Sequence, residues 1–158
     1  MESDAPKRSA GHVRCGAVEL FRAAAELWLP CWLGHDPVRL LRHYADDAYF
    51  KDPFNEVRGV AAIQGIFRHM YRQISEPRFD VTERIEAANG VMLVWELCYR
   101  MRFTGSEMQV MRGVTHLRLD ERGYVTYHRD YWDAAEELYM KLPAIGCLMR
   151  GLRRAIAA

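Results

Sequence analysis

The chain has 158 residues, half of them hydrophobic, which suits one compact domain built around a single core. Lys and Arg number 22 against 21 Asp and Glu, so the formal charge of +1 gives no attraction for a polyanion, and nucleic acid is not an expected partner. Cys15, Cys31, Cys98 and Cys147 show neither C-x-x-C spacing nor a neighbouring histidine, and His12, His35, His43 and His69 have no convergent partners. Buried reduced thiols in a cytoplasmic protein are therefore expected, with no metal and no other cofactor.

Residues 1–14, "MESDAPKRSAGHVR", are small and charged and read as a mobile tail. Their second residue, Glu2, is acidic and they lack the apolar run of a secretory signal. No stretch is long and apolar enough to span a bilayer, so stable membrane insertion is not expected. Residues 15–142 read as the domain and 143–158 as an amphipathic C-terminal helix. In "AVELFRAAAELWL" the apolar residues Leu20, Ala24, Leu27 and Trp28 recur at helical spacing, and Pro30 limits the helix. "HDPVRLLRHYADD" predicts a second helix, with Asp36 as N-cap, Pro37 at the first position and Leu40, Leu41 and Tyr44 on one side. "AYFKDPF" is a strand stopped by proline. After Gly59, a third helix has Val60, Ile63, Phe67, Met70 and Ile74 as its core face.

Beyond Pro77 the period changes to two. "RFDVTERIEA", a turn at Asn89-Gly90, "VMLVWELCYRMRF", a turn at Thr104-Gly105-Ser106, "MQVMRGVTHLRL" and "YVTYHRDYW" predict four antiparallel strands in a meander. Asp133 then caps a helix expected to run through "AAEELYMKL" to Pro143, and Ile145, Leu148, Met149, Leu152 and Ile156 fall on one side of the last segment, opposite Arg150, Arg153 and Arg154. Helices followed by a long antiparallel sheet make an α+β domain.

The chemistry concentrates in "HRDYWD". Residues two apart on a strand share a face, so His128, Asp130 and Trp132 point one way and Arg129 and Tyr131 the other. That face is either a solvated surface with Asp130 paired to an arginine, or a pocket wall holding an acid beside a histidine. Asp52, before Pro53 at the end of the first strand, is either a second pocket carboxylate or the cap of its own turn. Arg112 and His116 fit the outer face of the sheet or a dimer contact better than a ligand site.

With Tyr44-Ala45-Asp46-Asp47-Ala48 leading to Asp52-Pro53-Phe54, Gly59 opening a helix, and the closing "RDYWD", the chain resembles the SnoaL-like, nuclear transport factor 2-like superfamily over residues 17–142. The resemblance implies a cone-shaped fold whose curved, mostly antiparallel sheet wraps N-terminal helices around an internal pocket. It also implies a homodimer formed through the outer face of the sheet. Asp52 matches the general base of ketosteroid isomerase, but that enzyme's oxyanion donors fall on Trp28 and Thr115 and an aromatic support on Phe67, so steroid-type isomerisation is not implied. Asp130 matches the water-activating acid of limonene-epoxide hydrolase. That enzyme's R-x-D pair falls near Trp95-Glu96-Leu97, where only Glu96 could stand in. The His128-Asp130 pair is most similar to the acid of polyketide cyclases.

What the residues and the resemblance together imply is a pocket protein for a small apolar, polyketide-like or terpenoid-like molecule. Asp130, Asp52 and His128 would supply acid–base chemistry for cyclisation, dehydration or epoxide opening, and Trp28, Tyr44, Phe67, Trp95, Thr115 and Trp132 would contact the ligand. The alternative is a non-catalytic ligand-binding or dimeric assembly module, since the fold hosts both.

Overall fold

The computed structural model describes residues 42–87, 90–102, 107–142 and 144–157. The two helices expected before Tyr44, and with them Trp28, lie outside the described residues, as do the tips of the two predicted hairpin turns. The described elements are β1 (Tyr44–Lys51), β2 (Glu56–Arg58), α1 (Val60–Gln73), β3 (Ile74–Ala87), β4 (Gly90–Met101), β5 (Met108–Leu119), β6 (Val125–Tyr131), α2 (Ala134–Glu137), a 3-10 turn (Tyr139–Lys141) and α3 (Ile145–Ile156). They form an α+β architecture around one curved six-stranded sheet in the order β2-β1-β6-β5-β4-β3.

The meander from β3 to β6 is antiparallel throughout, whereas β1 lies parallel to β6. Alternation is clearest in β4: Val91, Leu93, Trp95, Leu97 and Tyr99 are buried while Met92, Val94, Glu96, Cys98 and Arg100 are half-exposed. The inner face joins Phe50 of β1, Phe79 of β3, Leu117 of β5 and Val125 of β6, and α1 lowers Ile63 and Phe67 onto it. Burying side chains of this size contributes about 1.5–3 kcal/mol each, so this layer dominates the stability of the described fold.

Several boundaries differ from the sequence pattern. Tyr44 opens β1 instead of closing a helix, because it pairs with Val125 and its ring is needed on the inner face, where it is 4% exposed. Ile74 starts β3 instead of ending α1. The register then shifts between Ser75 and Arg78, where Glu76 takes a positive φ of 51° and Pro77 has no N–H to donate to the ladder. The helix after Asp133 is a single turn. Asp133 accepts from the backbone N–H groups of Ala135 and Glu136, but Leu138 leaves helical geometry at φ −131°, and the chain continues as the 3-10 turn that sets Tyr139 against Phe54. Cys98 is half-exposed and Cys147 exposed, so the expectation of buried thiols fails for both: Cys98 sits on the outer register of β4 and Cys147 on open α3.

Candidate functional site

Parallel pairing of β1 with β6 places both strand ends on one side of the sheet, with Lys51 opposite Arg129. Asp52 and Asp130, far apart in sequence, therefore both line an open cleft of about 460 Å³, together with Pro53, Arg129, Trp132 and Asp133. Antiparallel pairing with β5 sets Thr115 opposite Asp130 and Leu117 opposite His128. Because side chains alternate, these four residues share the inner face.

Asp130 is held by its neighbours. Its Oδ1 accepts from the Thr115 hydroxyl and, at 2.9 Å, from His128 Nε2. The Thr115 hydroxyl in turn accepts from Trp95 Nε1 at 2.8 Å, which leaves its own proton directed at the carboxylate. On the far side of the imidazole, the Tyr44 hydroxyl bonds His128 Nδ1. A neutral imidazole with its proton on Nε2 satisfies this whole chain, donating to Asp130 and accepting from Tyr44. His128 is fully buried and the Asp130 side chain is only 10% exposed, so these bonds act where water competes little. No described hydrogen bond ends on Asp130 Oδ2.

Three aromatic rings pack against the imidazole. The Phe50 ring meets it edge-on at 4.9 Å, Phe67 tilts toward it at 6.2 Å and Tyr44 stacks at 6.0 Å. Room for the Trp95 indole comes from Gly113, its cross-strand partner: a Cβ there would lie 2.4 Å from the indole ring. Glycine at this position thus lets Trp95 reach Thr115. Deeper along β4, burial raises the Tyr99 phenol above its ordinary pKa, and the charge of Glu137 adds to the rise.

Asp52 has a different environment. Its Oδ1 accepts from the backbone N–H of Phe54 at 2.7 Å and of Asn55 at 2.6 Å, and the Asn55 amide bonds both carboxylate oxygens. This carboxylate closes the turn between β1 and β2 while lining the cleft. Of the residues expected to contact ligand, Trp132 lines the cleft, with Phe54 edge-on to it at 5.3 Å. Tyr44, Phe67, Trp95 and Thr115 do not line it; they are buried behind Asp130 and His128 and hold the pair. Glu96 faces away from Asp130 on the outer side of β4, bonded to Arg112 at 2.8 Å, so it cannot complete an epoxide-hydrolase-like triad.

The link from Tyr44 to His128 was not anticipated from sequence, because a helical pattern hid the strand in which Tyr44 sits. The link from Thr115 to Asp130 could have been found from register alone, since both point inward on adjacent strands. Among the described residues no group of three or more His, Cys, Asp and Glu converges as metal ligands, and no described helix is long and apolar enough to cross a membrane.

The model of the SnoaL-like domain matches residues 25–128. No curated protein sequence matches the chain significantly. Among solved structures, the chain is similar to a protein with a ketosteroid isomerase-like fold from Catenulispora acidiphila, in complex with trimethylamine, at 19% identity over 73% of this chain and 88% of that one, with a TM-score of 0.65. A proposed SnoaL-like polyketide cyclase from Shewanella denitrificans is 19% identical over 74% and 95% of the two chains, with a TM-score of 0.63. Rv0760c from Mycobacterium tuberculosis, in complex with estradiol-17beta-hemisuccinate, is 20% identical over 72% and 94%, with a TM-score of 0.60. At such identities the likeness establishes the shared fold.

Proposed function

The chain belongs to the SnoaL-like domain family, and from that premise we propose that it is a small-molecule enzyme in which Asp130 moves a proton to or from a substrate held in the cleft. The observation that carries this reading is the asymmetry of the Asp130 carboxylate. Oδ1 takes donors from Thr115 and His128, whereas Oδ2 receives no described hydrogen bond in a residue that lines the cleft.

Such a carboxylate can act through one oxygen. As a base, Oδ2 takes a proton from a substrate carbon or a water molecule; the new O–H sits on Oδ2, and Oδ1, now carbonyl-like, keeps both donors. As an acid it returns the proton to the developing anion or leaving oxygen. His128 and Tyr44 do not touch substrate in this scheme. They orient the carboxylate and support its negative charge, while Trp95 orders the Thr115 hydroxyl. Cyclisation, dehydration and epoxide opening of a small apolar, polyketide-like or terpenoid-like molecule all need one positioned group of this kind, typically contributing about 10²–10⁴-fold in rate. Neighbours that hold trimethylamine and a steroid ester support a cleft for small molecules. The same proposal assigns Asp52 to shaping the cleft mouth through its turn.

For quaternary structure, the proposal places a homodimer contact on the outer sheet face. Arg58, Tyr49, Tyr127 and Arg118 stack there across four strands, with guanidinium-to-ring distances of 5.2 and 5.0 Å and a ring-to-ring distance of 5.3 Å.

The test is a panel of aromatic β-diketones and terpene epoxides followed by NMR in D₂O, which reads both product formation and deuterium uptake at carbon. Asp130→Asn should lower any activity by about 10²–10⁴-fold and Asp52→Asn by much less. Full activity in Asp130→Asn removes Asp130 from the chemistry. Ligand binding without turnover or exchange across the panel would favour the non-catalytic alternative.

A further inference from the structure

Helix α3 is inside-out relative to a core helix. Its apolar residues Ile145, Leu148, Leu152 and Ile156 are 48%, 72%, 52% and 75% exposed. They recur at spacings of three and four and so form one stripe. The other side holds the helix to the body: Gly146 is buried so closely against the 3-10 turn that a Cβ would lie 2.5 Å from the Met140 carbonyl oxygen, and Arg150 donates to that same oxygen at 2.8 Å. The apolar stripe therefore points away from the 3-10 turn on which the helix packs. Arg153, four residues from Met149 and three from Ile156, flanks it, with Arg154 beyond. Along α3 the sequence contains Arg150, Arg153 and Arg154 and no acidic residue, whereas Lys141 before it is paired with Glu137 at 2.8 Å.

We propose that α3 is a docking surface for an anionic lipid bilayer, on which it lies in the plane of the headgroups. Three features fit this occupant. Twelve residues make a helix of about 18 Å, too short to span a bilayer but sufficient to lie on one. A well-separated apolar stripe with arginines on the polar side is the composition of interfacial helices, which sink the stripe to the level of the acyl chains. The uncompensated cations select negatively charged headgroups, and arginine stems beside the stripe can snorkel to reach them. Attachment also positions the cleft: α3 packs on the 3-10 turn, whose Tyr139 lies beside Phe54 and, through it, Trp132 of the cleft wall. A bilayer-held α3 keeps that mouth near a store of apolar molecules.

The experiment is co-sedimentation of the full chain with vesicles of phosphatidylcholine alone or with about 30% phosphatidylglycerol, at low and high salt. Binding should appear on the anionic vesicles and fall with salt. It should weaken by about fivefold for each of Arg153→Gln and Arg154→Gln, and by at least about tenfold in the Leu148→Gln/Leu152→Gln variant. These positions are exposed, so circular dichroism should show each variant folded. Failure to bind anionic vesicles at low salt overturns the proposal, as does binding indifferent to both sets of substitutions. A Leu148→Gln/Leu152→Gln variant that converts a dimer to a monomer, with no vesicle binding by the parent, would overturn it in favour of a second copy of the chain.

Discussion

Replacing Thr115 with valine keeps the shape of the side chain and removes one oxygen that serves two buried partners. Trp95 Nε1 loses its acceptor at 2.8 Å, and Asp130 loses one of the two donors on Oδ1. An unsatisfied buried donor costs about 1–3 kcal/mol, and a hydrogen bond to a charged group contributes about 1.5–3 kcal/mol. The added methyl recovers part of this, so Thr115→Val should destabilise the protein by about 2–4 kcal/mol. For a chain of this length that corresponds to a fall in Tm of about 5–15 °C. Urea denaturation followed by far-ultraviolet circular dichroism measures the loss, and a double-mutant cycle with Trp95→Phe identifies its origin. With the indole gone there is no orphaned donor, so the double variant should cost about 1–2 kcal/mol less than the sum of the two singles. A Thr115→Val change within about 0.5 kcal/mol of the parent, or strict additivity in the cycle, refutes the bonded chain from Trp95 to Asp130.

Gly113→Ala should displace the Trp95 indole, costing about 1–3 kcal/mol and altering the near-ultraviolet dichroism of tryptophan; an unchanged spectrum would contradict the close approach. Tyr44→Phe removes the hydroxyl on His128 Nδ1 and should cost about 1–3 kcal/mol, with a shift in the imidazole ¹⁵N resonances that report the tautomer; unaltered resonances would break that link. Burial and the neighbouring arginines Arg42 and Arg118 lower the pKa of His43 and His116, respectively, below 6.5, burial being the larger cause. The unfolded chain therefore binds protons first, so stability should decline as pH falls through 6.5 and stop declining below the folded-state values. Thermal melts of the parent and of His116→Gln between neutral and mildly acidic pH should show a shallower decline in the variant, and identical slopes would rule His116 out. Asp133→Ala removes the cap of α2 and should cost about 0.5–2 kcal/mol in the same denaturation assay.

The inner face of the sheet was legible in β4, where buried and half-exposed residues alternate without a break from Val91 to Arg100. That two-residue period put Trp95 inward and Asp130 on the side of His128, whereas Glu96, expected as a stand-in beside Asp130, takes the outward register of the same strand as Trp95. The Asx turn at Asp52 was also readable, since a carboxylate before Pro-Phe-Asn has backbone donors within reach. What escaped was long-range. The parallel pairing of β1 with β6 leaves no local trace, yet it brings Asp52 and Asp130 to one cleft. Tyr44 shares a helical spacing with Leu40 and Leu41, and only its partners Val125 and His128 show why it belongs to a strand. The short α2 shows the same competition, with a good cap and good helix formers yielding to the packing of Tyr139 against Phe54.

On the proposed reading, Asp130 works from Oδ2 on a molecule in the cleft. A crystal structure of the protein with a bound substrate-like ketone or epoxide tests it most directly. The expected complex has a ligand oxygen or acidic carbon at about 3 Å from Oδ2, with Thr115 and His128 still donating to Oδ1. A ligand seated away from Asp130, or Oδ2 engaged by the Arg129 guanidinium in an ion pair, would contradict it.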